Sequence, residues 1–381
     1  MRKRLTNILI CPNNYQSDLK IYGTKVHRNG AVLYNLDDTQ LLEDDDIEEG
    51  IIVSDSSQTA YPVSEFIAIL LSDTDIDTNH HQMLLEKAVD KCPDFYNTIL
   101  KSTLERITKH KDTSEGKWNR EEMKYYDNEV NTPEQREQML HSIKNMPIWR
   151  IFQPRTKYII KYLKEKCAGQ TILEIGSGNS RTVSWAFNPA SFNFKYVGSD
   201  ISFKRLMVAK KSIPEGDFFQ ASALNLPFKN DSFYAVISFG MLHHLPDPVK
   251  AVSLSTKLVK AGGFIAFHEP IIKPDVYLPG LSTLKKLTAT YEHSEHDGKI
   301  DLKATLNALK ENNFKTIFLT RKISTIRAFS ETIIKKISRK ILLNKFIISS
   351  VENIDEIFLH TLSKVSKKFA PSTVYAVFKK E

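Results

Sequence analysis

Three cysteines in 381 residues, Cys11, Cys92 and Cys167, are too few and too scattered for a disulfide framework. They fit a reducing compartment, and the cytoplasm is the expected location. No apolar run reaches the roughly 18 residues that a membrane-crossing helix needs. The opening MRKRLTNILICPNN has a basic tip, but the apolar core NILIC is short and no small-residue cleavage site follows, so no signal peptide is expected. No internal repeat or low-complexity tract stands out. Nothing in the sequence sets the oligomeric state.

What is present is ordinary globular material: 41% hydrophobic and 26% charged residues. The length suits one large domain with additions, or two domains. The formal charge of +8 is unevenly spread, because residues 301–381 carry 16 Lys and Arg against 7 Asp and Glu. Attraction to an anionic partner would therefore reside in the C-terminal fifth.

Residues 1–70 read as a small β-rich module, with short apolar and β-branched runs broken by polar turn residues. The acidic stretch DDTQLLEDDDIEEG (37–50) reads as a solvated loop. Residues 71–150 read as a helical linker or cap, with apolar spacings of three and four, and DTSEGKWNREE (112–122) as a break between helices. From residue 151 strands and helices alternate. TILEIG, KYVGSDIS, SFYAVISFG, GFIAFHEP and KTIFLTRK read as five successive strands with helices between them, and STVYAVFKK as one more. That order implies parallel βαβ units in an α/β, doubly wound Rossmann-like sheet over 151–381.

The stretch TILEIGSGNSR (171–181) ends its strand in Glu174, Gly176 and Gly178. Glycine permits a sharp turn and leaves room for a ligand beyond the strand end. A dinucleotide fingerprint wants a third glycine where Arg181 stands, and a phosphate loop wants a Gly-Lys-Ser or Gly-Lys-Thr ending that is absent. The pyrophosphate readings therefore weaken, and a plain strand-to-helix turn stays open beside a cofactor site. Asp200 ends the next strand, where a carboxylate can accept from two ribose hydroxyls. It could equally cap the following helix.

LEIGSG, GSDIS, ALNLPF and SFYAVISFGMLHHLPDP, in that order and spacing, resemble the class I S-adenosylmethionine-dependent methyltransferases. The similarity covers about residues 150–320 plus the last strand. It is strongest to the branch holding quinone, sterol and small-molecule methylases. The resemblance implies S-adenosyl-L-methionine as cofactor. Glu174, Gly176 and Gly178 would shape its methionine end, Asp200 would bind the ribose, and Ile201 would lie on the adenine. Ser222, Ala223 and Leu224 would flank the adenine edge, and Ser238, Phe239 and Gly240 would form the floor beneath the sulfonium. Two positions depart from the pattern. Ser180 stands where a third glycine is common. Ser222 stands where an aspartate commonly accepts from the adenine amino group; a serine can still accept that bond, more weakly.

Methyl transfer from a sulfonium is an in-line displacement, so alignment is the main requirement. A base is needed if the nucleophile must shed a proton. His243, His244 and Glu269 lie at the same strand ends and are the catalytic candidates. Their bland alternatives are a structural turn for the histidines and a helix cap for Glu269. YEHSEHDG (291–298) is read as a substrate-lining loop rather than a metal site, because no partner cluster matches it.

ILICPNN and SDSSQTAYPV resemble the zinc-ribbon modules that accompany some methyltransferases. The four ligand positions correspond to Cys11, Asn14, Ser54 and Ser57. One thiolate with two neutral hydroxyls is a poor zinc set, so the expectation is a degenerate, metal-free module. About 45 residues, at roughly 323–370, are inserted before the last strand. Within them 329–347 reads as a basic amphipathic stripe, with Phe329, Ile333, Ile337, Ile341 and Leu342 beside Lys335, Lys336, Arg339 and Lys340. A helical lid is the favoured reading; peripheral membrane or RNA contact is the alternative. The leading expectation is methylation of O, N or C in a small-molecule or lipid- or glycan-linked acceptor. RNA is the runner-up, weakened because SFGM stands where an Asn-Pro-Pro-Tyr-type motif would orient a base amine. A cofactor-binding, non-catalytic partner subunit is the reading from another class.

Overall fold

The computed structural model describes residues 1–76, 78–108, 113–145, 154–186, 193–270, 300–323 and 372–381. YEHSEHDG and the inserted segment with its 329–347 stripe lie outside the described residues. A short 3-10 turn at Lys3–Ile8 leads into β1 (Leu19–Arg28), β2 (Ala31–Leu36), β3 (Asp46–Ser54), β4 (Thr59–Ser64) and β5 (Ile67–Ile69). Helices α1 (Thr78–Val89), α2 (Asp94–Thr108), α3 (Ser114–Asn128), α4 (Pro133–Asn145) and α5 (Pro154–Lys166) follow. The alternating part is β6 (Thr171–Ile175), α6 (Arg181–Ala186), β7 (Lys195–Asp200), α7 (Phe203–Ser212), β8 (Asp217–Gln220), β9 (Phe233–Phe239), α8 (Pro248–Leu258), β10 (Val259–Pro270), α9 (Leu302–Glu311), β11 (Phe314–Ile323) and β12 (Ser372–Lys380).

Among the described residues, twelve strands form one sheet, in the order β11-β12-β10-β9-β6-β7-β8-β5-β4-β3-β1-β2. From β10 through β5 every neighbouring pair is parallel, whereas β12 runs antiparallel to both β10 and β11. The N-terminal strands thus continue the Rossmann-like sheet rather than forming a sheet apart. β5 pairs with β8 through Ile67–Phe218, Ala68–Phe219 and Ile69–Gln220, and the Leu70 N–H carries the ladder on to the Gln220 carbonyl at 2.8 Å.

The period-two geometry of strands splits the core into two layers. Ile172, Tyr196, Ala235 and Ile237 face one layer with Leu85, Leu100, Ile159 and Leu206 from the helices. Leu173, Val197 and Val236 face the other with Ala251 and Leu309. Both layers reach into the N-terminal strands, through Ile51 and Val53 on one face and Ile52 and Tyr61 on the other.

Three local expectations change. The stretch 112–122 is mostly helix: Thr113 caps α3 by accepting the Gly116 N–H at 3.0 Å, and the helix continues through Lys, Arg, Glu and Met, all good helix formers. Residues 46–50 of the acidic stretch belong to β3, because Ile47 is fully buried and Asp45 pairs with Arg28. Between the second and third strands read from the sequence lies one more, β8, so that β9 is the fourth strand of the alternating part. The four residues DFFQ of β8 show no alternation, since parallel strands are buried on both faces.

The positions compared with zinc ligands converge. Cys11 Sγ lies 3.3 Å from Ser57 Oγ and 3.2 Å from the Tyr61 hydroxyl, and the Ser57 N–H donates to Ser54 Oγ at 3.3 Å. Asn14 Nδ2 donates to neighbouring Ser56 Oγ at 2.8 Å. Among the described residues no helix is long and apolar enough to cross a membrane.

Candidate active site

The parallel strands β5 to β10 release their chains on one edge of the sheet, where α/β folds bind ligands. At the end of β6, Gly176 (φ +66°) and Gly178 (φ +52°) take the left-handed conformation. A Cβ on Gly176 would come within 2.0 Å of the Met241 side chain. Ser180 is left-handed too, at φ +52°, and its hydroxyl is 2.9 Å from the Tyr196 hydroxyl. Tyr196 in turn donates to the buried Glu174. Burial pushes the Glu174 carboxyl up to about 8, against the smaller opposing effect of the Tyr196 bond.

Asp200, at the end of β7, accepts the Gly178 N–H on Oδ2 at 2.7 Å and the Ser202 N–H on Oδ1 at 2.8 Å. It therefore joins the glycine turn to the next strand. The helix-capping role falls instead to Ser202, which accepts the Arg205 N–H. A carboxylate has about four acceptor positions, so two remain for ribose hydroxyls. Burial holds the Asp200 carboxyl above its usual range, opposed most by the Ser202 N–H. Ile201 is partly buried against the helical layer and its carbonyl accepts from Gln220 Nε2 at 2.9 Å. Ala223 and Leu224 pack into the opposite layer. Ser222 Oγ accepts the Leu224 N–H and Asn119 Nδ2, each at 3.2 Å. Both acceptor positions of that hydroxyl are taken, so Ser222 is not placed to accept from an adenine amino group as expected.

At the end of β9, Ser238 is buried, Phe239 stacks on His268, and Gly240 sits at φ +75° with no atom of the described residues within 4 Å of where a Cβ would stand. Glu269, fully buried at the end of β10, binds this turn together. Its Oε1 accepts the Ser238 hydroxyl at 3.3 Å and the N–H groups of Gly240, Met241 and Leu242 at 3.1, 3.0 and 3.0 Å. Its Oε2 lies 2.9 Å from His243 Nδ1. Burial opposes ionisation, but His243 and the backbone N–H groups hold this carboxyl below its usual range. The rings of His243 and His244 are 4.0 Å apart, and His244 meets Tyr126 edge to face at 5.8 Å.

Sequence reasoning did not foresee the part played by α3. Trp118 Nε1 donates to the His244 carbonyl at 3.1 Å, Asn119 reaches Ser222, Met123 meets Gln220, and Asp127 accepts from the Ser202 hydroxyl. Arg205 of α7 lies 4.0 Å over the Tyr126 ring and pairs with Glu129. One helix thus touches the ends of β7, β8 and β9. Asn119 and Glu122 are buried there, but in the sequence they stand among ordinary helix formers and gave no signal of it.

Comparison with known proteins agrees with this geometry. A family model described as a methyltransferase domain matches residues 173–267. Over 175 residues the chain is 30% identical to the demethylmenaquinone methyltransferase of Clavibacter sepedonicus, covering 42% of this chain and 67% of that protein. It is 31% identical over 146 residues to the demethylmenaquinone methyltransferase of Paenarthrobacter aurescens, covering 37% of this chain and 56% of the relative. It is also 31% identical over 110 residues to the tRNA (carboxymethyluridine(34)-5-O)-methyltransferase of Arabidopsis thaliana, covering 28% and 26%. The chain therefore spans about a quarter to two thirds of these relatives' lengths. Fold and strand-end motifs define a Rossmann-like cofactor-binding protein. The chain belongs to the class I S-adenosylmethionine-dependent methyltransferases.

Proposed function

We propose that this protein transfers a methyl group from S-adenosyl-L-methionine to a hydroxyl of a small-molecule or lipid-linked acceptor, with His243 as general base. The observation that carries this reading is the Glu269–His243 pair at 2.9 Å. A carboxylate facing Nδ1 fixes the tautomer with the proton on that nitrogen, and leaves Nε2 as acceptor. Glu269 acts through His243 and the 240–242 turn, as a positioning residue. The residues present suit the cofactor. Asp200 keeps acceptor positions for a ribose, and among the described residues nothing fills the space beside Gly240. When bound, the cofactor supplies an activated methyl on a sulfonium. His243 Nε2 would accept the proton that an acceptor hydroxyl sheds as its oxygen takes up that methyl group, so no residue has to act as an acid.

The two relatives named for demethylmenaquinone support a small-molecule acceptor, and the choice of a hydroxyl rests on the His243 geometry. The N-terminal strands are read as a degenerate zinc-ribbon-like module retained for packing. A second reading, an RNA acceptor, draws on the relative named for tRNA and on the basic residues 301–381. The test is methyl transfer from labelled cofactor to phenolic and quinol acceptors, to amines and to bulk tRNA, with wild type and His243→Ala. Hydroxyl acceptors should be methylated, and His243→Ala should lose roughly 10²- to 10⁴-fold in kcat/KM. Transfer to tRNA alone, or a His243→Ala variant as fast as wild type, would sink the reading.

A further inference from the structure

The position where the family commonly has an adenine-reading aspartate holds Ser222, and the serine's acceptor positions are occupied. The sheet shows what stands there instead. Because β5 runs parallel to β8 as its neighbour, the chain leaving β5 emerges on the same edge as the chain leaving β8. It brings Asp75, which is 2% exposed, into the site. Asn119, on α3, bridges the two segments. Its Nδ2 donates to Asp75 Oδ1 at 2.7 Å and to Ser222 Oγ at 3.2 Å. Asp75 Oδ2 is held by the Ser72 hydroxyl at 2.6 Å.

This arrangement fixes which way the amide faces. Turning Asn119 over would set its carbonyl oxygen against the Asp75 carboxylate, so the nitrogen must face Asp75. The Asn119 carbonyl oxygen then points away from that pair, and it receives no hydrogen bond from the described residues. Ser222 has the complementary surplus: its oxygen already accepts from Asn119 and from the Leu224 N–H, so its hydroxyl hydrogen is left to donate. One acceptor and one donor side by side match the 6-amino group and N1 of adenine. They mismatch hypoxanthine, whose 6-oxo group accepts and whose N1–H donates.

We infer that Asn119, oriented by Asp75, takes over adenine recognition from the missing aspartate, with Ser222 donating to N1. This rests on the reading that the cofactor's adenosine lies at the ends of β7 and β8. It makes the N-terminal segments part of the cofactor site rather than an appendage: one supplies the acceptor and the other orients it.

The test is calorimetric binding of S-adenosylhomocysteine and its 6-oxo counterpart, S-inosylhomocysteine, to the full chain and to variants. Wild type should prefer the amino form by about tenfold or more, the scale of one mismatched buried hydrogen bond. In Asn119→Leu that preference should fall below about threefold, through weaker binding of the amino form alone. Asp75→Asn, a smaller change that frees the amide to turn, should lose part of the preference. Ser222→Asp placed in the Asn119→Leu background should restore it, which no merely structural role would produce. If Asn119→Leu weakens both ligands equally, or keeps the full preference, the assignment is wrong and the cofactor reading survives. If wild type binds neither ligand, the cofactor reading falls and this assignment with it.

Discussion

Two turns at neighbouring strand ends each rest on a buried glutamate, and the two carboxyls are held in opposite ways. Glu174, in the β6 turn, is 2% exposed, and Glu269, below the β9 turn, is 0% exposed. Burial penalises both carboxylates alike. At Glu174 the answering group is one tyrosine hydroxyl, and the carboxyl is pushed up to about 8. At Glu269 three backbone N–H groups, a serine hydroxyl and His243 converge, and the carboxyl is held below its usual range. Residue type and burial are alike at the two sites; the difference lies in the donors and charges around them, Tyr196 and Asp200 at Glu174 against His243 and the backbone N–H groups at Glu269. The first turn is a neutral frame for a glycine loop, and the second is an ionised anchor that orients a histidine.

The largest expected effect lies at the anchor. Glu269→Ala strips the acceptor from the Gly240, Met241 and Leu242 N–H groups and from His243. It should destabilise the fold by about 3–5 kcal/mol, the scale of a broken buried charge pair. Glu269→Gln keeps the shape and should fold, but it removes the charge that fixes the His243 tautomer. Denaturant melts of both variants beside methyl-transfer rates check this. A Glu269→Ala variant as stable as wild type would show that the two glutamates do not differ as argued.

The next effect lies between the turns, at Asp200. Asp200→Ala removes the acceptor of the Gly178 and Ser202 N–H groups as well as the proposed ribose ligand. Affinity for S-adenosylhomocysteine should drop by about 1.5–3 kcal/mol, read by calorimetry. Retained affinity would move the ribose elsewhere.

The pH dependence of stability separates the two turns directly. A carboxyl whose folded value is raised, like Glu174, stabilises fully below its unfolded value near 4.3. That contribution is lost as pH rises towards about 8. A carboxyl whose folded value is lowered, like Glu269, stabilises above the unfolded value, and its contribution is lost as pH falls below it. Urea midpoints of Glu174→Gln between pH 5 and 8 should therefore lack a decline that wild type shows, of the order of 1 kcal/mol per pH unit. Equal slopes in the two proteins would mean that Glu174 is already ionised.

The contrast also explains what was legible in the sequence. Glu174, Gly176, Gly178, Asp200 and Gly240 sit in short motifs at strand ends, where strand and turn signals coincide, so the doubly wound sheet and the edge carrying its site could be read. Glu269 was recognisable as a strand-end acid, but its hold on a turn 27 to 31 residues away is a tertiary fact. The same is true of β8, of the β5–β8 pairing that fuses the N-terminal strands to the sheet, and of α3 across the site. Their sequences show ordinary helix and strand formers, and what makes them functional is contact between segments far apart in the chain, 75 residues between Asp127 and Ser202 and 103 between Asn119 and Ser222.

The smallest expected effect concerns Ser180, the departure from a third glycine. Its left-handed backbone suits glycine, and holding a serine there costs on the order of 1 kcal/mol. Its hydroxyl gives back a buried bond to Tyr196, worth about 1 kcal/mol, and glycine would add unfolded-state freedom of about 0.4–1 kcal/mol. Ser180→Gly should therefore change stability by less than about 1 kcal/mol in either direction. In a Tyr196→Phe background the serine loses its partner while the strain remains, so there the same substitution should be more favourable than in wild type. A double-mutant cycle reads that difference. Identical effects in the two backgrounds would mean that the Ser180 hydroxyl and the Glu174–Tyr196 pair are energetically separate, and that the serine is tolerated in the turn rather than held there.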